Sequence, residues 1–133
     1  MPEIIILDTH IWFWFIAREF FRFPEHWRSQ IETSAQVGVS PISCYEIALA
    51  QQKGRLALSC PVGQWLKEAL APLGIALLPL TDEIACCAVS LSPVHKDPFD
   101  RLIIATALIY KAHLASVDTV FPGYSELDGY LMT

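Results

Sequence analysis

The run Ile4-Ile5-Ile6-Leu7-Asp8 decides the fold of this chain. Four consecutive apolar residues, rich in β-branched side chains, fit a strand covered on both faces, because a half-exposed strand would alternate with polar positions. The run stops at an acid, and Thr9 onward reads as a helix or turn crowded with aromatics: Trp12, Phe13, Trp14, Phe15, Phe20, Phe21 and Phe23.

The same grammar repeats outward from this strand. Pro24 fits the first turn of a helix that runs to about Ser34, and Val37-Gly38-Val39 is a minimal second strand. Ser40-Pro41 reads as a helix cap followed by a first-turn proline, opening a helix through Glu46 to Lys53 that Gly54 stops. A helix from Val62 to Leu70 leads to an apolar strand from Gly74 to Leu78, and Thr81-Asp82-Glu83 caps a helix ending near Ser90. Asp97-Pro98 opens a helix to Lys111, and His113 to Val117 is a last strand ending at Asp118. Alternation of this kind predicts an α/β fold: one domain over residues 1–133, with a central parallel sheet flanked by helices on both faces and joined by right-handed crossovers.

Length and composition agree with that reading. A chain of 133 residues builds one real core without staples, and its 53% hydrophobic content suits either a doubly covered sheet or an apolar surface awaiting a partner. No stretch reaches the roughly 18 apolar residues a membrane span needs. The start lacks the basic region and small-residue cleavage site of a secretion signal, so a soluble cytoplasmic protein is expected. Cys44, Cys60, Cys86 and Cys87 have no C-x-x-C spacing, which indicates buried reduced thiols rather than zinc or disulfides. The net charge of -5 argues mildly against nucleic acid, but a divalent cation bound among gathered acids would reset the local field.

Charged residues make up only 17% of the chain, so acids beside apolar runs need a reason. Each has an ordinary one. Asp8 suits a helix cap; Ser43 and Glu46 match a capping box, although if Ser40 starts the helix Glu46 falls in the second turn and no cap explains it. Asp97 before Pro98 is a helix start, Asp100 gains from the helix dipole, and Asp118 suits a turn. Five independent caps, however, have no cause to converge on the rim beyond the carboxyl ends of parallel strands, where ligands bind in such sheets. Like charges gathered there repel unless a cation neutralises them, and all-oxygen ligands favour Mg²⁺ or Mn²⁺. His26 and His113 read as structural or surface residues; His10 and His95 lie near the rim and are expected close to substrate.

These residues resemble a known family, the PIN-domain ribonucleases, and within it the VapC-type toxins of bacterial toxin–antitoxin pairs. Leu7-Asp8-Thr9-His10, Ser43 through Glu46-Ile47-Ala48 to Lys53-Gly54-Arg55-Leu56, Asp97-Pro98-Phe99-Asp100-Arg101-Leu102-Ile103-Ile104-Ala105 and Ser116-Val117-Asp118 fall in the family's order and approximate spacing. The third segment is the specific one. The resemblance implies an acidic quartet of Asp8, Glu46, Asp100 and Asp118, in which Asp8, Asp100 and Asp118 hold Mg²⁺ or Mn²⁺ and Glu46 orients water or a ligand. Thr9, Asp97 and Arg101 would stand at the pocket edge. The implied reaction is endonucleolytic hydrolysis of RNA phosphodiester bonds by metal-activated water. The implied partners are RNA, a cognate antitoxin and a second copy of the chain, with DNA reached only through the antitoxin complex and no membrane.

Two features depart from a simple nuclease. Cations for RNA are few, with Lys53, Arg55, Lys96 and Arg101 nearest the acids, and the aromatic block from Trp12 to Phe23 is dense enough to serve as core or as a groove for a partner helix or second subunit. The alternative function is therefore a catalytically inactive PIN-like binding module acting through its aromatic surface. A phospho-accepting receiver-like domain fits less well, because only Asp8 ends the first strand and no lysine follows the last.

Overall fold

The computed structural model describes residues 3–133. Four parallel strands, β1 (Ile4–Leu7), β2 (Gln36–Val39), β3 (Ile75–Leu77) and β4 (His113–Ala115), lie in the order β3-β2-β1-β4. The helices are α1 (Thr9–Ile16), α2 (Glu25–Thr33), α3 (Pro41–Gln52), α4 (Val62–Glu68), α5 (Asp82–Ser90) and α6 (Pro98–Tyr110). Strand order runs outward from β1 through β2 to β3 and then reverses, with β4 on the other side of β1. That reversal opens a crevice between the carboxyl ends of β1 and β4, the place where sheets of this type hold ligands.

Both faces of the sheet are covered, as the unbroken β1 run requires. Ile5 and Leu7 join Val37, Val39 and Ile75 in a core with Ile11, Trp12, Trp27, Ile47 and Trp65, drawn from α1 to α4. Ile6 faces the other way, onto Leu114, Leu78 and the α6 residues Ile103, Ile104 and Ala107. α5 packs against α6 through Ile84, Ala88 and Ala105.

Helix starts follow the caps read from sequence. Ser40 accepts from the Ile42 N–H at 3.1 Å, Thr81 from Ile84 at 3.2 Å and Asp97 from Phe99 at 2.9 Å. Pro24 differs by one place, since it is the cap of α2 and Glu25 opens the first turn. β4 is shorter than expected, because β1 offers it no partner past the Asp8 N–H donated to the Ala115 carbonyl at 2.9 Å; the chain leaves the sheet at Ser116 and turns after Asp118. The outer edge of β4 is covered by the C-terminal segment, through Leu114 N–H to Tyr130 and Met132 N–H to Leu114. The cysteines are free, but none is fully buried and Cys86 is exposed, which corrects the expectation of buried thiols.

The aromatic block divides. Trp12 is buried, donates its indole N–H to the Ala69 carbonyl at 3.0 Å and meets Trp65 edge-on, while Phe23 stacks on Trp27. Phe21, in contrast, is 80% exposed, and Trp14 is only half-buried.

Gly38 marks a close approach in the sheet: a Cβ there would meet Leu78 Cδ1 at 2.8 Å and the Ala76 carbonyl at 3.1 Å. Gly38→Ala is expected to cost about 1–3 kcal/mol through overpacking. Denaturant titration checks this, and an unchanged midpoint would show that Leu78 moves aside freely.

Candidate active site

The crevice between β1 and β4 collects the acids. Asp8, immediately after β1, is buried and held at both oxygens: Oδ1 accepts from the Thr9 N–H at 2.9 Å and Oδ2 from the Ser116 hydroxyl at 2.7 Å. Ser116 Oγ in turn accepts from the Asp118 N–H at 3.1 Å, so a single hydroxyl ties the first acid to the segment carrying the last. Asp118 Oδ1 accepts from the Val120 N–H at 2.9 Å and begins a turn, as its ordinary reading expects.

Glu46 lies in the second turn of α3, because Ser40 is the cap; the capping-box reading of Ser43 is thereby corrected. Ser43 is buried, and its hydroxyl shares a 2.8 Å hydrogen bond with that of Thr9. Thr9 donates to Glu46 Oε1 at 2.5 Å, which fixes the carboxylate against α1. Sequence alone gave Ser43 and Ser116 no site role. Their signal was position, one on the same face of the helix as Glu46 and one two residues before Asp118.

Asp97 caps α6 and Asp100 sits in its first turn. His95 Nε2 stands 3.4 Å from Asp100 Oδ2, and His95, Asp97 and Asp100 each offer an atom within 4.8 Å of the others. Among the described residues this is the tight group of potential ligands. Asp8 and Asp118 lie outside it but within electrostatic reach of Asp100.

The electrostatics report the crowding. Burial, then the charges of Asp97, Asp8, Asp118 and Glu46, raise the Asp100 carboxyl to about 7. Asp8 is also raised, chiefly by burial, against the hydrogen bonds from Ser116 and Thr9. Glu46 is raised by burial first, with Asp8 and Asp97 adding to the effect and Thr9 opposing it. Three carboxyls with raised pKa values, Asp8, Glu46 and Asp100, gathered with Asp97 and Asp118, present hard oxygen donors in a half-buried cleft, and a divalent cation is the group that relieves them. The residues fit such an ion.

Arg101, expected at the pocket edge, is engaged within the fold. Its guanidinium donates to the carbonyls of Ala88, Val89, Leu91, Ser92 and His95, at 2.8 to 3.4 Å, and so clamps the loop between α5 and α6. Lys53, Arg55 and Lys96 remain exposed. A cavity of about 490 Å³ adjoins the acids, lined in part by Thr9, His10, Trp14, Glu46, Arg55 and Phe99.

The fold has solved counterparts. A chain of the VapBC2 complex from Rickettsia felis, bound to a DNA fragment from its promoter, superposes with a TM-score of 0.70 at 18% identity, covering 97% of each chain. A chain of a toxin–antitoxin complex from Klebsiella pneumoniae gives 0.60 at 19% identity, covering 97% of this chain and 96% of that one. In sequence, Ribonuclease VapC22 of Mycobacterium tuberculosis is 32% identical over 115 residues, 86% of either protein. The PIN domain family model matches residues 5–127, which take in the β1 acid, the α3 glutamate, the α6 start and the acid after β4; the chain belongs to the PIN domain family.

Proposed function

We propose that this chain is the toxin of a toxin–antitoxin pair, an endoribonuclease that hydrolyses RNA phosphodiester bonds with Mg²⁺ or Mn²⁺ held by Asp8, Asp100 and Asp118. The observation that carries the reading is the convergence of carboxylates on Asp100, which raises it to about 7. The ribonuclease name of the 32% identical relative supports the activity, and the complexes among the solved counterparts support an antitoxin partner. A second copy of the chain and a cytoplasmic location complete the proposal, in which residues 1–133 act as one domain. Among the described residues no helix is long and apolar enough to cross a membrane.

The bound cation supplies Lewis-acid polarisation of the phosphoryl group and lowers the pKa of water. The chain's own groups set the geometry around it. The Thr9 N–H and Ser116 hydroxyl fix both oxygens of Asp8, so that carboxylate is oriented before any ligand arrives. Thr9 engages Glu46 Oε1 and leaves Oε2 to hold a water or take its proton, a task that a raised pKa favours. Asp97 keeps Asp100 at the mouth of α6 by fixing where the helix begins.

Cleavage of an RNA oligonucleotide is expected to vanish in excess EDTA, to return with Mg²⁺ or Mn²⁺, and to be lost in Asp8→Asn. Mg²⁺ at about 100 times its Kd should stabilise the wild-type fold by about 2.7 kcal/mol. Cleavage that persists in excess EDTA would overturn the reading, and so would acid-to-amide variants that cut RNA at the wild-type rate.

A further inference from the structure

The cavity beside the acids has a composition the hydrolytic reaction itself does not need. Thr9 and Glu46 belong both to its wall and to the acidic site, so it is continuous with the place where a phosphodiester would lie. Beyond them Ile47, Leu49, Ala50 and Leu56 form an aliphatic floor, and the rest of the wall is rings with two arginines and Glu19. His10 and Trp14, one turn apart on α1, have ring centroids 5.5 Å apart. Phe99, adjacent in sequence to Asp100, enters from α6 with its ring 5.2 Å from that of the exposed Tyr45. Arg22 lies over the Trp14 ring at 5.6 Å and also pairs with Glu19 at 2.7 Å. Arg55 is exposed at the same wall, in a chain with only nine lysines and arginines.

Flat rings interleaved with arginines, open on one side to a phosphate-cutting centre, are the physical means by which proteins hold unpaired nucleotides: bases stack on the rings and the backbone follows the charge. At about 490 Å³ the cavity is within the range of small-ligand sites, roughly 300–1,000 Å³. Glu46 is met by Thr9 and Glu19 by Arg22, but an apolar helix would leave Arg55 without a partner in this wall, whereas a nucleotide answers both the rings and the cation.

We propose that this cavity is a nucleotide subsite: it receives the base flanking the scissile phosphate of a single-stranded RNA, stacked against Trp14 and Phe99, with Arg55 drawing in the adjoining backbone. The inference rests on the ribonuclease reading. It makes Trp14 and Phe99 specificity-determining residues and gives a use to the part of Trp14 that the core leaves uncovered.

Steady-state cleavage of a single-stranded RNA by the full chain with Mg²⁺ tests it, comparing wild type, Trp14→Leu, Arg55→Ala and, as a charge control on α4, Lys67→Ala. Trp14→Leu should raise KM about ten- to a hundredfold with kcat nearly held. Arg55→Ala, at an exposed position where folding is not at issue, should reduce the slope of log affinity against log salt by about 0.7, and Lys67→Ala should leave it unchanged. An abasic nucleotide walked along the substrate should weaken binding at one position next to the cut and should make Trp14→Leu indistinguishable from wild type there. If wild type cuts RNA but KM, salt slope and the abasic profile are all indifferent, the subsite is overturned while the ribonuclease reading stands. The same indifference with loss of binding to a protein partner would assign the cavity to that partner. If wild type cuts no RNA, both fail.

Discussion

Asp100→Asn is expected to lower RNA cleavage by about a thousandfold and, at the same time, to raise the melting temperature of the metal-free protein above neutral pH. Both effects come from one geometry. The Asp100 carboxyl, 15% exposed, faces Asp97, Asp8, Asp118 and Glu46, and burial with that repulsion takes it from 3.8 to about 7. The folded state therefore binds a proton that the unfolded chain has already released. The resulting stabilisation is fully present below about pH 4 and is lost as pH rises through about 7, where the ionised group burdens the fold. Asparagine carries no charge, so the variant should match wild type near pH 4 and exceed it by about 2 kcal/mol at pH 8, roughly 7 °C in Tm. Mg²⁺ should raise the wild-type Tm and leave the variant nearly unmoved. Thermal melts from pH 4 to 8, with and without Mg²⁺, check both statements, and a variant less stable than wild type at pH 8 would contradict the proposed crowding. Asp97→Asn can still cap the Phe99 N–H and should lose less activity than Asp100→Asn; equal loss would mean that the 4.8 Å cluster, rather than the cap, is what Asp97 serves.

What could be read from the sequence was what local chemistry determines. The apolar β1 run, the caps at Ser40, Thr81 and Asp97, and the stop at Gly54 each depend on a few neighbouring residues, and each stands where the pattern placed it within about one position. The acids were legible as a set because strand ends and helix starts of a parallel sheet share one rim. The strand order and the ties that hold those acids were not. Ser116 reaches Asp8 across 108 positions and Thr9 reaches Glu46 across 37, contacts that only the completed sheet creates. The length of β4 was misread for the same reason, since hydropathy does not say where the neighbouring strand stops offering hydrogen bonds. The aromatic block could not be divided by composition, because Trp12 and Trp14 differ only in the side of α1 they occupy.

Arg101 is where the structure changes the sequence reading most, and its replacement carries the largest expected loss of stability. An arginine beside Asp100 reads naturally as a cation for RNA, yet its donors reach carbonyls from Ala88 to His95, the end of α5 and the loop leading to α6. The guanidinium suits this because it presents five donors in a fixed fork, and hydrogen bonds to a charged donor are the stronger kind. The same loop is held from its other side by Glu126, which accepts from the Ser92 N–H at 2.7 Å and the Ser92 hydroxyl at 2.9 Å. Arg101→Met should leave several loop carbonyls without partners, lowering stability by about 3 kcal/mol and Tm by roughly 10 °C. Arg101→Lys, with three donors on a point charge, should recover only part of that loss although it restores the full charge. Because the loop delivers His95 and Asp97 to Asp100, kcat should fall with the fold's order, but the salt dependence of RNA binding should be the same in Arg101→Lys and wild type. A lysine variant of wild-type stability, or a methionine variant that loses a salt-dependent share of RNA affinity while melting normally, would return Arg101 to the substrate.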